Sequence, residues 1–219
     1  MNHFDAIIFD MDGLLLDSEI IGLQTFQQTC EEFGLGDRTD LFIQCIGTNS
    51  ETNKNILSNG LGSEVDFLTF WDICRSKYHA ETKTKAIPLK QGVIDLLQHI
   101  QTLRLPVAVA TSTHTEFALT KLNNAGIVNY FDIVIGGEQV SNSKPLPDIF
   151  LKAVEKLNVE PANCLALEDS ENGVNSALSA GLTVIQIPDL VKPDRHKNQS
   201  NHIILDSLTE VANFNFNGA

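Results

Sequence analysis

Five short, unbroken apolar runs constrain this chain more than anything else in it: Ala6 to Phe9, Pro106 to Ala110, Ile133 to Ile135, Cys164 to Leu167 and Val184 to Ile187. None alternates apolar with polar, so each reads as a strand covered on both faces. Helical patterns separate the last four. Gly92 to Leu103 carries Val93, Leu96, Leu97, Ile100 and Leu103 at helical spacing. Phe117, Leu119, Leu122 and Ala125 continue the theme up to Gly126, a C-terminal stop signal. Pro147 opens a helix with Ile149, Phe150, Ala153, Val154 and Leu157, and Asn172 to Ala180 forms another, stopped by Gly181. Strands alternating with helices predict an α/β fold, a doubly wound parallel sheet with right-handed crossovers. A compact chain of 219 residues buries roughly 70% of its unfolded surface and needs no covalent staples.

One interval breaks the alternation. About seventy-five residues without a convincing strand lie between the first run and the helix near Gly92. Glu19 to Phe33 is amphipathic, with Ile20, Leu23, Phe26 and Cys30 on one stripe. Glu51 to Leu57 and Val65 to Tyr78 also read as helices, the second carrying Phe67, Phe70, Trp71, Cys74 and Tyr78. A block this long is not a loop. It predicts a small α-helical domain over 17–85, inserted into a core of 1–16 and 86–219, with Thr82 to Pro88 as the return linker. The polar tail from Asn213 to Ala219 is expected to fray.

Asp and Glu number 28 against 15 Lys and Arg, a formal charge of −13. Nucleic acid and anionic membrane are polyanions and therefore poor partners, although a local site can still take a small phosphorylated ligand. No apolar stretch reaches ~18 residues, the length that suggests a membrane span. The first twelve residues carry Asp5, Asp10 and Asp12 instead of a basic segment followed by an apolar one. Cys30, Cys45, Cys74 and Cys164 form no CxxC pair, and His79, His99 and His114 show no metal spacing. The expectation is a cytoplasmic protein with reduced thiols. No exposed apolar stripe stands out, which favours a monomer.

In open parallel sheets, ligands gather beyond the carboxyl ends of the strands. The first run leads straight into Asp10-Met11-Asp12-Gly13, with Asp17 and Ser18 soon after. The second leads into Thr111-Ser112-Thr113, the third to a loop containing Lys144, and the fourth into Glu168-Asp169-Ser170. Two carboxylates about 4 Å apart repel by roughly 4 kcal/mol at an effective dielectric of 20. Asp10, Asp12, Glu168 and Asp169 would therefore raise one another's pKa, and Lys144 supplies only one positive charge. A divalent ion resolves the crowding, and an all-oxygen site suits Mg²⁺. Asp10, fixed at a strand end, is the best placed carboxylate nucleophile. Asp12, two residues on, could protonate a leaving oxygen and then take a proton from water. Thr111 and the Ser112 amide could bind phosphoryl oxygens, with Lys144 pairing their charge.

These residues together resemble the haloacid dehalogenase superfamily. The resemblance rests on Asp10-Met11-Asp12-Gly13-Leu14-Leu15-Leu16-Asp17-Ser18, Ala110-Thr111-Ser112-Thr113, Ser143-Lys144-Pro145-Leu146-Pro147-Asp148 and Leu167-Glu168-Asp169-Ser170-Glu171-Asn172-Gly173, in that order along essentially the whole chain. The helical insertion looks like the family's mobile cap, and the nearest branch looks like the β-phosphoglucomutase-like phosphatases. The resemblance implies a Mg²⁺-dependent phosphatase acting on a small phosphorylated metabolite, such as a sugar phosphate, through an aspartyl-phosphate. It implies Asp10 as nucleophile and Asp12 as acid/base. It implies Mg²⁺ held by Asp10, the Asp12 carbonyl and Asp169, with Glu168 as a ligand or a support.

Two departures bear on the reaction. Sugar-phosphate mutases of this branch carry a cap arginine, whereas the matching stretch here is Gly47-Thr48-Asn49-Ser50-Glu51. That favours hydrolysis over the rival reading of a sugar phosphomutase. The glycine usual before the third motif's lysine is Ser143 here. Phosphonate hydrolases would need a cap lysine, for which only Lys54, Lys77, Lys83 and Lys85 are placed. A rival of another class is a phosphoacceptor, receiver-like signalling module, but that fold has no inserted helical domain.

Overall fold

The computed structural model describes residues 4–48, 50–193, 202–213 and 216. Six parallel strands form one sheet, in the order β3-β2-β1-β4-β5-β6. They are β1 (Ala6–Phe9), β2 (Val107–Ala110), β3 (Ile133–Ile135), β4 (Cys164–Glu168), β5 (Thr183–Gln186) and β6 (Ile203–Ile204). Five are the predicted runs. The sixth is a two-residue edge strand, too short to leave a periodic signal. β1 lies at the centre, with Ile7 level with both Val107 and Leu165. Its backbone is therefore held from both sides, and the turn at its carboxyl end starts from a fixed point.

The pleat sorts residues onto two faces. Ile7, Phe9, Val109, Leu165 and Leu167 face one hydrophobic cluster with Val93, Leu96, Leu97, Ile100 and Leu122. These come from α5 (Val93–Leu103) and α6 (Thr115–Asn124), and α9 (Leu208–Val211) adds Leu208 and Val211. The other face presents mostly small residues, Ala6, Ala108, Ala110 and Ala166. Against them pack α7 (Asp148–Leu157) and α8 (Glu171–Ser179), whose Ile149, Phe150, Ala153, Val174 and Ala177 supply the bulk.

The chain between β1 and α5 holds four helices: α1 (Ser18–Glu32), α2 (Thr39–Ile43), α3 (Ser50–Leu61) and α4 (Phe67–Thr84). They enclose a cluster of their own, Phe26, Cys30, Leu41, Cys45, Leu57, Leu61 and Phe70. Three details differ from the pattern in the sequence. In α1, Ile20 and Leu23 are only half-buried, while Thr25 and Thr29 are buried. Their hydroxyls donate to the Ile21 and Thr25 carbonyls, so a polar group is buried at little cost. Helix α4 continues to Thr84, so Thr82 and Thr84 belong to it and not to a linker. The short α2 has no sequence signature of its own.

Where the chain leaves for the helices and where it returns, the two segments run side by side. Asp17 N donates to Pro88 O at 2.9 Å and Lys90 N to Leu15 O at 3.0 Å. Most of the tail, residues 214, 215 and 217–219, lies outside the described residues, as does Asn49. No helix of the described residues is long and apolar enough to cross a membrane.

Candidate active site

The ends of β1, β2 and β4, with the loop after β3, converge on one spot. Asp10 N donates to Leu167 O at 2.9 Å, which holds the Asp10 backbone to β4. One carboxylate oxygen each from Asp10, Glu168 and Asp169 lies within 4.8 Å of the others, and all three residues are buried. The Lys144 ammonium donates to Asp10 Oδ1 at 2.5 Å, Glu168 Oε1 at 2.6 Å and Ala110 O at 3.0 Å, using its three protons. Glu168 Oε2 accepts from Asp169 N, Ser170 N and Ser170 Oγ at 2.9 to 3.1 Å. Both Glu168 oxygens are thus engaged, whereas Asp10 Oδ2 and the Asp169 carboxylate accept no hydrogen bond from the described residues.

The backbone around the cluster is as constrained as its side chains. Gly13 has φ 86°, and a Cβ there would lie 2.4 Å from Asp169 Oδ2. A Cβ at Gly173 would fall 1.7 Å from Glu168 Oε1, so both glycines are required by close approach. Thr111, buried at the end of β2, accepts from Thr113 N at 3.1 Å.

One positive charge among three carboxylates leaves the cluster short of cations. Burial pushes the Asp10 carboxyl up to about 7, against the pull of Lys144, and Glu168 adds to the rise. Burial, then the charges of Glu168 and Asp10, carries Asp169 well above the ordinary range. Burial disfavours the Lys144 ammonium, but Asp10 and Glu168 outweigh it and raise its pKa. Oxygen donors with unspent acceptor capacity and excess negative charge fit a hard divalent cation such as Mg²⁺. Asp10 and Asp169 have the most of it, and Glu168 Oε1, which accepts from Lys144, keeps a second lone pair.

Asp12 adds to the rise at Asp10 but is not itself raised, in contrast to the sequence expectation. Its carboxylate turns to a second lysine, with Lys121 Nζ donating to Oδ1 at 2.7 Å. Ser18 Oγ donates to Oδ1 and Thr113 Oγ1 to Oδ2, both at 2.7 Å. Burial alone would raise the Asp12 pKa, but the Lys121 charge and these donors hold it below the usual carboxylate value. Lys121 also donates to the Tyr78 hydroxyl of α4 at 2.9 Å.

Between the sheet's mouth and the four helices lies a cavity of about 390 Å³, lined by Asp10, Thr111, Ser112, Lys144 and Asp169 on one side. Trp71, Arg75 and His79 of α4 line the other. Gly47 approaches so closely that a Cβ there would meet Ser170 Oγ at 2.6 Å.

The sequence model of the haloacid dehalogenase-like hydrolases matches residues 7–187. This chain belongs to that family. As a haloacid dehalogenase-like hydrolase it is an enzyme, and it is no receiver module. It is 33% identical over 181 residues to the phosphorylated carbohydrates phosphatase of Thermotoga maritima, covering 81% of this chain and 82% of that protein. The crystal structure of CbbY from Rhodobacter sphaeroides in complex with phosphate superposes with a TM-score of 0.75 at 27% identity, covering 95% and 96% of the two chains. A β-phosphoglucomutase structure from Clostridium difficile, 22% identical with a TM-score of 0.76 over 95% and 93%, shares the fold.

Three residues at the hydrolase's site escape the sequence reading. Lys121 lies on the buried face of α6 with Ala118 and Leu122, while Phe117 and Leu119 are 38% and 40% exposed. Phe117 and Leu119 lie at the two edges of the stripe expected for this helix, and Ala118, Lys121 and Leu122 take its centre. The spacing Ala118-Lys121-Leu122 carried that signal. Glu19 opens α1 and lines the cavity; burial, with Asp12 and Asp189 nearby, pushes its carboxyl up to about 8. Arg75 brings a cap cation to the cavity from α4, not from the loop at Gly47.

Proposed function

We propose that this chain is a Mg²⁺-dependent phosphatase of small phosphorylated carbohydrates that works through a phosphoryl group carried on Asp10. The convergence of Asp10, Glu168 and Asp169 within 4.8 Å around a single lysine carries this reading. Residues 17–85 serve as the cap over the site, and 1–16 with 86–219 as the core. Asp10, Asp169 and the Asp12 carbonyl would hold Mg²⁺. When bound, the ion neutralises carboxylate and phosphoryl charge and orients the phosphoryl group. Glu168, with both oxygens occupied, fixes Lys144 and the Asp169 backbone.

The chain's own groups do the rest. Asp10 Oδ attacks phosphorus opposite the leaving oxygen. Thr111 and the Ser112 amide receive phosphoryl oxygens, and Lys144 balances their charge. Asp12 gives a proton to the departing oxygen in the first step and takes one from water in the second. Held ionised by Lys121, it stands in the form that the second step needs, and it takes up a proton from solvent before the first. Closure of the helical block over substrate sheds water from the cavity before the first step, and one water enters for the second.

The cap side of the cavity suits a polyhydroxylated substrate. Trp71 Nε1 is buried without a hydrogen-bond partner among the described residues, a donor open to a substrate oxygen. Named activity on phosphorylated carbohydrates in the 33%-identical relative supports the same class. Arg75 in the cavity favours one alternative, a phosphomutase whose substrate carries a second anionic group. Purified chain is to be given a panel of sugar phosphates with Mg²⁺ or with EDTA. Free phosphate should appear, and only with Mg²⁺. Isomer formation without phosphate would select the mutase, and full activity in chelator would refute the metal.

A further inference from the structure

Asp189 lies beyond β5, the strand end at the sheet's mouth to which the proposed mechanism assigns nothing. Its side chain is 7% exposed. Oδ1 accepts from Lys90 Nζ, which also reaches Asp17 Oδ1 at 3.3 Å where the chain leaves for the helices. Oδ2 is buried and has no hydrogen-bond partner among the described residues. If Asp189 served only to anchor Lys90, one oxygen would suffice, and the other would be desolvated without compensation.

The direction of that oxygen is given by Gly13. A Cβ built there would lie 2.4 Å from Asp169 Oδ2 and 3.4 Å from Asp189 Oδ2. The two carboxylate oxygens thus flank one spot over the glycine next to Asp12, whose carbonyl is a proposed ligand. Two acceptors facing one spot need a donor between them. Mg²⁺ dehydrates reluctantly and keeps several waters, whose protons require acceptors. Outer carboxylates that take such protons tune metal affinity.

The geometry points to Asp189 Oδ2 as the acceptor for a water carried by Mg²⁺ bound at Asp10 and Asp169. This inference rests on the proposed metal site, and it makes Asp189 a positioning residue, tied through Lys90 to the start of the helical block.

The test is calorimetric titration of the full chain with MgCl₂, without substrate. Asp189→Asn should weaken Mg²⁺ binding by about tenfold or more. Lys90→Met combined with Asp189→Asn restores the wild-type net charge and spares the fold an unpaired lysine. It should remain as weak, because the lost acceptor and not the overall field sets the affinity. Affinity within twofold of wild type in either folded variant would overturn the inference. So would wild-type chain that binds no Mg²⁺. Unchanged affinity in Asp189→Asn alongside normal phosphate release by wild type would remove only Asp189's role. The expected loss of affinity in a chain that hydrolyses no phosphate ester would remove only the phosphatase reading.

Discussion

Asp10 and Asp12 are separated by one residue and live in opposite electrostatic worlds. Asp10 sits at the sheet's mouth, where it shares Lys144 with Glu168 and has Asp169 beside it. Asp12 turns instead to Lys121 of α6, with Ser18 and Thr113 also donating to it. The first carboxyl is raised to about 7 and the second is lowered. Two groups of one chemical type with pKa values pushed apart is the arrangement by which one site assigns two roles. The mouth lacks positive charge, which a metal and a phosphoryl group arriving together would rebalance. The pocket of Asp12 is already balanced, so it can hold one carboxylate ready without help.

The largest effect that would break this comparison is at Asp10. Asp10→Asn should lower turnover by about 10⁴-fold or more while circular dichroism stays native, because the nucleophile and a metal ligand are lost together. Near-normal turnover would end its assignment. Lys144→Met should leave the buried carboxylates uncompensated and cost about 3–5 kcal/mol of stability in EDTA by urea unfolding. Mg²⁺ should recover part of that loss; equal loss with and without the ion would mean that the cluster does not bind it.

Lys121→Met sharpens the comparison from the other side. Turnover of a sugar phosphate should drop about 10²-fold, the scale of general acid–base catalysis. The loss should fall on the second step, which needs Asp12 ionised, so an aryl phosphate should still give a burst of leaving group before slow turnover. A burst and a steady rate reduced alike would show that Lys121 supports the fold and not the acid/base.

The raised Asp10 predicts a pH effect with a definite sign. Between its ordinary 3.8 and about 7, the folded metal-free chain holds a proton that the unfolded chain gives up. Stability should therefore fall as pH rises through that window, and level off above it. Thermal unfolding in EDTA between pH 5 and 8 reads this, and Asp10→Asn should flatten the slope. An identical slope in the variant would refute the shift. The smallest effect is at Tyr78, whose hydroxyl accepts from Lys121. Tyr78→Phe should cost about 1 kcal/mol, and a loss above about 3 kcal/mol would mean that the bridge from α4 to Asp12 does more than tie the two together.

The strands β1 to β5, the helical insertion and Asp10, Thr111, Lys144, Glu168 and Asp169 were legible along the chain. Strands buried on both faces leave unbroken apolar runs, and in a parallel sheet the residue after each run is delivered to the same edge. That rule needs no side-chain detail. Lys121, Glu19, Arg75 and Asp189 were not legible in this way. Lys121 and Arg75 project from helices, where a rotation of one residue moves a side chain by about 100°. Glu19 lies on α1, ten residues past β1, and Asp189, though it follows β5 as the strand rule asks, has no spacing that shows its partners.

Order along the chain alone determined which carboxylates would meet, because strand ends are register points that backbone hydrogen bonding fixes. Only the tertiary structure decided how each would be charged. That depends on which lysine reaches which oxygen, and Lys121 and Lys144 come from separate loops and helices whose packing brings them to different sides of the same four-residue turn. Coulomb energy varies steeply over a few ångströms in a buried site, and no spacing in the sequence carries that distance.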